Sequence, residues 1–334
     1  MGRNARCGTR SICKMSKTIA VIGATGAQGG SVARAFLKLD GWKVRAITRN
    51  TSSDSAKKLA SEGAEVVSAN TDDEASLVKA FEGATAVFAV TNFWEHLFTG
   101  SSPDESGEKE AEQAKKLARA ASRTSSLEHY IWSTLPSAKG ATNGKYPVPH
   151  LDYKAEVNDW IQSDLPDLHA KTTYLVLGFY PNNFANFPNL KPFELPGSWG
   201  KWVQVMPTPP SAVIPVSGDI NVTPGLWARQ IIAKPELTKG KFVDIAPEVL
   251  SFGEMLKIYG EVTGRQTGYL QVSVEDFTGV WGIPGKEIAD QFTFGEQFTG
   301  GWGSIGSISK EDLGIKDDEW PGFKQTLESL KDQL

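Results

Sequence analysis

The chain has 334 residues, of which 40% are hydrophobic and 22% are charged, a composition typical of globular proteins and sufficient for one large domain or two smaller ones. Its net charge is −4, but the first 14 residues hold four of the 35 basic side chains and none of the 39 acidic ones. The remainder therefore carries −8, which argues against a nucleic-acid partner, and no apolar run approaches the ~20 residues of a membrane span.

Residues 1–16 form a basic leader that contains both cysteines, Cys7 and Cys13. The leader is short and has no amphipathic face, so we expect a disordered tail, or a translation start at Met15, rather than a targeting segment. We expect a cytoplasmic protein. Because no cysteine follows the leader, a disulfide framework is excluded from the folded part of the chain.

A strand, a glycine-rich turn and a helix come next. The apolar run 19–22 predicts a buried strand, and the G-x-x-G-x-x-G pattern at 23–29 turns the chain into a helix beginning near Gln28. In a βαβ nucleotide-binding unit, such glycines permit the turn, the approach of a pyrophosphate and the packing of the helix on the strand. We expect the nucleotide to contact Gly23, Thr25, Gly26, Ala27, Gln28 and Gly29. The alternative is a glycine-rich turn with no ligand.

The end of the second predicted strand, 43–49, indicates which dinucleotide is preferred. NAD-binding units place an acidic residue there for the ribose 2′-hydroxyl, whereas this chain has Arg49. A guanidinium pairs with a 2′-phosphate that an acid would repel, so we predict NADP(H). The alternatives are a solvated surface arginine, and an influence of the nearby Asp54.

The third and fourth predicted strands, 64–69 and 85–91, deliver further residues to the same edge of the sheet. Asp72 follows the third strand and either meets the adenine ring or caps the next helix. Thr91 ends the fourth strand, Asn92 and Phe93 follow it, and we expect these three residues to border the cofactor. Phe93 and Trp94 form either a wall for cofactor or substrate, or a simple cover for the sheet edge.

Candidate catalytic residues lie beyond a polar helix, 103–123, whose exposed face predicts no chemistry. Short-chain reductases combine a serine at the end of the fifth strand with a tyrosine and a lysine four residues apart on the next helix. Here Ser133 and Lys154 occupy suitable positions, and His150 stands where the tyrosine would be. One helical turn puts His150 and Lys154 on one face of the helix.

Three interpretations of the proton step stay open. His150 donates the proton, since its ordinary pKa is near neutrality; Lys154 donates it, directly or through water; or there is no proton step and the protein only binds the nucleotide. Tyr153 points about 100° away from Lys154 around the helix, which makes it a poor replacement. Tyr180 is a further candidate, because it follows the sixth strand, 172–177, at the binding edge.

The second half of the chain differs in character from the first. Seven of the ten tryptophans follow residue 150, and short predicted strands and helices replace the regular alternation. Aromatic-rich, irregular segments are typical of a cap over a mostly apolar small-molecule substrate. The four histidines show no metal-ligand spacing, so we expect no metal site.

Taken together, these motifs resemble the NmrA-like family of atypical short-chain dehydrogenase/reductases, from about residue 17 to the end of the chain. The resemblance rests on the turn 23–29, Arg49, the segment 91–95, Ser133, the segment 154–157 and the segment 178–184. It implies an α/β fold: a doubly wound parallel Rossmann sheet over residues 17–178, interleaved with a smaller C-terminal α+β substrate lobe over 179–334. It also implies NADP(H) as cofactor, held by the glycine turn and Arg49, with Asn92 beside it and Lys154 at the nicotinamide ribose.

The family that the motifs resemble is divided in function. Some members are regulators that bind the dinucleotide, lack the tyrosine and act through a protein partner; others are fungal oxidoreductases that reduce carbonyl or imine groups, often in secondary metabolism. His150 at the tyrosine position disfavours ordinary alcohol dehydrogenase chemistry, whereas a protonated imine accepts hydride without a strong acid. We therefore expect an NADPH-dependent reductase of an imine or carbonyl in a small, partly apolar substrate, with a nucleotide-sensing regulator as the alternative.

Overall fold

The computed structural model describes residues 16–298 and 308–334, so the leader predicted over 1–16 lies outside the described residues except for Ser16. The first half alternates strands and helices. Its elements are β1 (Lys17–Ile22), α1 (Ala27–Leu37), β2 (Trp42–Thr48), α2 (Asp54–Ser61), β3 (Glu65–Ser68), α3 (Glu74–Phe81), β4 (Ala86–Ala89), α4 (Phe93–Phe98), α5 (Pro103–Ser122), β5 (His129–Thr134), α6 (Ala138–Ala141), α7 (Pro149–Asp164), α8 (Pro166–His169) and β6 (Thr172–Leu177).

The second half is built from shorter strands and one long helix. Its elements are α9 (Asn183–Asn186), β7 (Phe193–Glu194), β8 (Lys201–Met206), β9 (Val213–Val216), α10 (Thr223–Ala233), α11 (Pro235–Thr238), β10 (Lys241–Ile245), β11 (Glu248–Ser251), α12 (Phe252–Thr263), β12 (Gln266–Gln271), α13 (Val274–Gln297), α14 (Lys310–Leu313) and α15 (Phe323–Ser329), followed by a 3-10 turn (Lys331–Gln333).

Seven parallel strands form the central sheet, in the order β10-β6-β5-β4-β1-β2-β3. The strand order reverses between β1 and β4, because β2 and β3 extend to one side and β4 to β6 to the other. This doubly wound topology confirms the predicted fold class. Open α/β sheets bind ligands outside the carboxyl ends of the strands at such a reversal, which here places the site beyond β1 and β4.

Alternate side chains of β1 enter two different cores, as expected for a central strand covered on both faces. Ile19 and Val21 pack with α1 and α10 on one face. Ala20 and Ile22 pack with α3, α5 and α7 on the other. The sheet is therefore buried between two layers of helices. Both layers support the edge of the sheet where a ligand would bind.

The C-terminal half contributes to the central sheet and also forms a lobe of its own. β10 pairs with β6, and Ser31 of α1 hydrogen-bonds to the start of α10. The remaining strands make a two-stranded antiparallel sheet, β11-β9, and a three-stranded sheet, β12-β8-β7. Together with α12, α13 and α15 they enclose a separate aromatic-rich core. The chain after residue 178 thus serves both units.

The long helix α13 packs buried side chains into the core of the lobe. It is kinked at Gly282, where φ is 65° and Pro284 follows closely, so two helical pieces join there. In the described parts of the chain, no helix combines the length and the apolar character needed to cross a membrane.

Candidate functional site

A cleft of about 670 Å³ lies at the carboxyl ends of the central strands, between the sheet and the C-terminal lobe. It brings together all but one of the residues that the sequence predicts for the site. These are Gly23, Thr25, Gly26, Ala27, Gln28, Gly29, Arg49, Thr91, Asn92, Phe93, Ser133, His150, Lys154 and Tyr180. The exception is Asp72.

The glycine turn forms one end of the cleft. Gly23 has a φ of 63°, and its carbonyl accepts a hydrogen bond from the Gly26 amide at 2.9 Å. A Cβ on Gly29 would lie 2.4 Å from the Gly23 carbonyl oxygen, so the close packing of α1 on β1 requires glycine there. No side chain caps the N-terminus of α1, and its first turn has no acidic residue. Its free amides therefore suit an anion such as a pyrophosphate.

Arg49 follows β2 and faces the cleft, but it already has an anionic partner. Its guanidinium donates two hydrogen bonds to the carboxylate of Glu95 on α4, one between Nη2 and Oε2 at 3.1 Å. Hydrogen bonding to Glu95 raises the pKa of Arg49 further. The predicted 2′-phosphate contact thus lies beside a carboxylate that the sequence analysis did not connect with it.

Asp72 is not among the residues that line the cleft, although its hydrogen-bond partner Gln113 is. Its Oδ1 accepts a hydrogen bond from Gln113 Nε2 at 3.0 Å, which turns the carboxylate toward α5. The neighbouring Thr71 lines the cleft instead. The alternative, that Asp72 caps the next helix, is wrong, because Asp73 caps α3 by accepting hydrogen bonds from two amides of its first turn.

Ser133, at the end of β5, connects to the glycine turn. Its hydroxyl donates to Gln28 Oε1 at 2.8 Å. Ser133 is predicted to polarise a substrate. In this structure its hydroxyl is instead hydrogen-bonded to Gln28, a residue of the predicted nucleotide site.

Lys154 projects from α7 into the cleft and is held by a buried ion pair. Its Nζ lies 2.6 Å from Oε1 of Glu110 on α5 and 2.8 Å from the hydroxyl of Thr91. The side chains of Lys154 and Glu110 are 11% and 1% exposed. Glu110 lies on the helix for which no chemistry was predicted, and its burial corrects that expectation. Its second oxygen, Oε2, has no hydrogen-bond partner within the described residues.

His150 also has a buried carboxylate beside it, from the other half of the chain. Its Nδ1 lies 2.7 Å from Oε1 of Glu287 on α13. The same oxygen accepts the backbone amide of His150 at 2.9 Å. On its other side the imidazole contacts the rings of Phe93 and Trp94, with centroids 5.7 and 5.4 Å away.

The two tyrosines of the sequence analysis lie in different surroundings. Tyr153 points out of the cleft, and its hydroxyl donates to Asp104 at 3.3 Å, which agrees with its position around the helix. Tyr180 lines the cleft, but its hydroxyl is buried and has no hydrogen-bond partner within the described residues. Burial raises the pKa of Tyr180, and this geometry does not favour proton transfer from its hydroxyl.

The far end of the cleft is apolar. Trp94 contacts the ring of Phe187 edge-on at 5.6 Å, and Leu190, Ile288 and Phe292 of the C-terminal lobe also face the space. This arrangement suits an apolar small molecule. Residues 16–298 and 308–334 contain no group of His, Cys, Asp and Glu side chains arranged to hold a metal ion.

Known proteins resemble this chain in sequence and in fold. The model of the NmrA-like family matches residues 15–326. The NmrA-like family domain-containing oxidoreductase cpsB of Aspergillus campestris is 30% identical over 308 residues, covering 87% of this chain and 86% of that protein.

Two solved structures share the fold over nearly the whole chain. NmrA, a negative transcriptional regulator crystallised with NADP, matches with a TM-score of 0.73 and 23% identity over 95% of this chain and 96% of that one. The triphenylmethane reductase of Citrobacter sp., complexed with NADP(H), matches with a TM-score of 0.66 and 19% identity over 96% of this chain and 100% of that one. With its family model matched over most of its length, the chain belongs to the NmrA-like family.

Proposed function

We propose that this protein is an NADP(H)-dependent oxidoreductase that transfers hydride to an imine or carbonyl carbon of a small, partly apolar substrate. One observation carries the proposal: a single cleft runs from the glycine turn, past Lys154 and His150, to the aromatic wall around Trp94. A nucleotide at one end and an apolar acceptor at the other would meet beside the two titratable side chains. A role in fungal secondary metabolism and a cytoplasmic location belong to this proposal.

The cofactor end of the cleft has the features that a dinucleotide phosphate requires. The uncapped N-terminus of α1 offers amides to the pyrophosphate, and the absence of a side chain at Gly29 keeps the turn close to the strand. Arg49 offers a guanidinium to the 2′-phosphate. The structural relatives crystallised with NADP or NADP(H) support the same assignment.

The chain's own side chains have separate tasks in this proposal. Bound NADPH would supply the hydride. Lys154, fixed by Glu110 and Thr91, would orient the nicotinamide ribose through its ammonium group. His150 would give a proton to the oxygen or nitrogen of the acceptor. The aromatic wall would exclude water from the reacting atoms.

A regulator that senses NADP(H) without turnover is the second candidate. The observation that favours it is the buried ion pair between Lys154 and Glu110. This ion pair gives Lys154 a structural role that does not require catalysis. The likeness to the transcriptional regulator NmrA points the same way. In that case the cleft would bind the nucleotide, and a protein partner would respond to it.

The two functions are distinguished by turnover. NADPH absorbance is followed with the purified protein and a panel of cyclic imines, enones and quinones, alongside a titration of NADPH binding. The oxidoreductase proposal predicts consumption of NADPH with at least one acceptor class. Binding of NADPH without consumption by any of them, together with recovery of a specific protein partner, would establish the regulator instead.

A further inference from the structure

Glu287 is a buried carboxylate that has no role in the proposed transfer of hydride. It lies on α13, 137 positions from His150 along the chain, and its side chain is 1% exposed. One of its two oxygens, Oε1, forms hydrogen bonds with both the backbone amide and the Nδ1 atom of His150. An ionised carboxylate is costly to bury unless it is hydrogen-bonded and paired, so its placement against this histidine calls for an explanation.

A helix cap explains one of these two hydrogen bonds. α7 begins after Val148, whose side chain cannot cap it, and Glu287 accepts an amide of its first turn. The bond to the imidazole is not needed for that purpose. It fixes the ring, because a carboxylate acceptor at Nδ1 requires that this nitrogen carry the proton.

His150 and Glu287 line two different cavities. His150 lines the main cleft, whereas Glu287 lines a second cavity of about 570 Å³ whose rim includes Pro147 and Pro149. Glu287 thus contacts the Nδ1 atom of His150 without being one of the residues that line the cleft. Within the described residues, Nε2 of His150 has no hydrogen-bond partner, which leaves it available to a molecule in the cleft.

We propose that Glu287 is a positioning residue that holds His150 as the proton donor of the site, with Nδ1 toward Glu287 and Nε2 toward the acceptor. This inference rests on the proposed oxidoreductase function. In carboxylate–histidine pairs generally, the negative charge of the carboxylate balances the positive charge of an imidazolium that donates a proton. Glu287 acts through His150 and does not touch the acceptor.

The proton step is balanced without any further reactant. As hydride arrives at the carbon of a C=O or C=N bond, the π electrons move to the oxygen or nitrogen. The bond between Nε2 and its proton breaks, a new O–H or N–H bond forms, and His150 is left neutral with Nδ1 still bonded to Glu287. Water returns the proton to Nε2 after the product leaves. The products are an alcohol or amine and NADP⁺.

A proton donor at His150 would favour acceptors that carry no positive charge of their own. Neutral acceptors, such as a ketone or an unprotonated imine, need this proton, whereas a permanently charged N-alkyl iminium needs hydride alone. A cyclic ketone and an N-methyl cyclic iminium are therefore a matched pair of probes, because only the first depends on His150 and Glu287.

The test compares Glu287→Gln with wild type on both probes. Glutamine keeps an oxygen that accepts both hydrogen bonds, so the cap of α7 is retained while the negative charge is lost. We expect kcat with the ketone to fall about 10- to 100-fold and kcat with the iminium to stay within about twofold, since proton transfer by a positioned group contributes at least that much. In a His150→Gln background, Glu287→Gln should have no additional effect on either probe. Glu275→Gln, an exposed position on the same helix, is the matched control.

The possible results distinguish a failure of the proposed role of Glu287 from a failure of the proposed oxidoreductase function. Equal losses on both probes, or additive effects of the two substitutions, would show that Glu287 is only a cap and would overturn the inference. Reduction of the iminium but not of the ketone by wild type would also overturn it, while the oxidoreductase function would stand. Absence of turnover with both probes and with the imine, enone and quinone panel, despite NADPH binding, would overturn the function and the inference together.

Discussion

Arg49 and Glu95 form a two-bond ion pair at the edge of the cleft, although one follows β2 and the other lies on α4. Their side chains are 63% and 40% exposed, so water and salt weaken the pair. Glu95 accepts hydrogen bonds from the same guanidinium group of Arg49 that, in the proposed function, binds the 2′-phosphate. Binding of NADP(H) would therefore have to displace a carboxylate, whereas binding of NAD(H) would not.

The first prediction concerns this competition. Glu95→Gln should tighten NADPH binding by about two- to fivefold, the range of an exposed ion pair, and leave NADH binding nearly unchanged. Quenching of tryptophan fluorescence during titration measures both affinities. Glu62→Gln breaks another exposed arginine–glutamate pair, with Arg34, away from the cleft, and serves as control. Equal gains for NADPH and NADH would contradict a competition at the 2′-phosphate.

The second prediction concerns Arg49 itself. Arg49→Ala should weaken NADPH binding by about 10- to 100-fold, because a charge-assisted, two-bond contact with the 2′-phosphate is lost. NADH binding should change far less. Titration of the variant with both dinucleotides checks the ratio. Equal losses would mean that Arg49 does not contact the 2′-phosphate.

The third prediction concerns the glycine turn. Gly29→Ala would place a Cβ 2.4 Å from the Gly23 carbonyl oxygen, which must push α1 away from β1. We expect the free energy of unfolding to fall by about 1 to 3 kcal/mol and NADPH binding to weaken with it. Urea unfolding and NADPH titration measure the two effects. Gly279→Ala is the control, since no heavy atom lies within 4 Å of its added Cβ. Similar behaviour of both variants would mean that the turn tolerates a side chain.

The glycine turn also shows which features a sequence can predict. The strand, turn and helix over residues 17–37 depend on neighbours within a few positions, and their pattern of apolar residues and glycines is local. The same holds for His150 and Lys154, which helical spacing places on one face. Such features were predicted close to where the structure has them.

Partners supplied by distant parts of the chain were not predictable in this way. Glu110 lies 44 positions from Lys154, and Glu287 lies 137 positions from His150. In a single sequence each resembles an ordinary surface glutamate, because nothing local indicates its burial. The direction of the Asp72 side chain depends in the same way on a hydrogen bond from Gln113, on another helix. Tertiary packing decides these positions.

The fourth prediction concerns pH and the stability of the central sheet. Burial lowers the pKa of His129, on β5, from its ordinary 6.5 to about 3. Between these values the unfolded chain binds a proton that the folded protein does not, so the free energy of unfolding decreases as pH falls through this window. The loss approaches about 1.4 kcal/mol per pH unit. His129→Gln should remove this contribution, so that its difference from wild type changes across the window. Urea unfolding at a series of pH values measures it, and parallel curves for the two proteins would contradict it.

The fifth prediction separates the structural role of Lys154 from its proposed catalytic one. Lys154→Met leaves the carboxylate of Glu110, which is 1% exposed, without its cation. We expect the free energy of unfolding to fall by about 3 to 5 kcal/mol, as when one partner of a buried ion pair is removed. Lys57→Met, at an exposed ion pair with Asp54, should show no measurable loss.

The double variant Lys154→Met with Glu110→Gln distinguishes the structural role of Lys154 from its proposed role in catalysis. Removal of both charges should recover most of the stability, because no buried charge is left unpaired. If Lys154 also orients the nicotinamide ribose, NADPH binding and turnover should stay impaired in this stable protein. Urea unfolding, NADPH titration and NADPH consumption with the acceptor panel are measured side by side. Recovery of turnover together with stability would mean that the ammonium group contributes to the fold alone, and the contact with the nicotinamide ribose would then have to be assigned to another residue of the cleft.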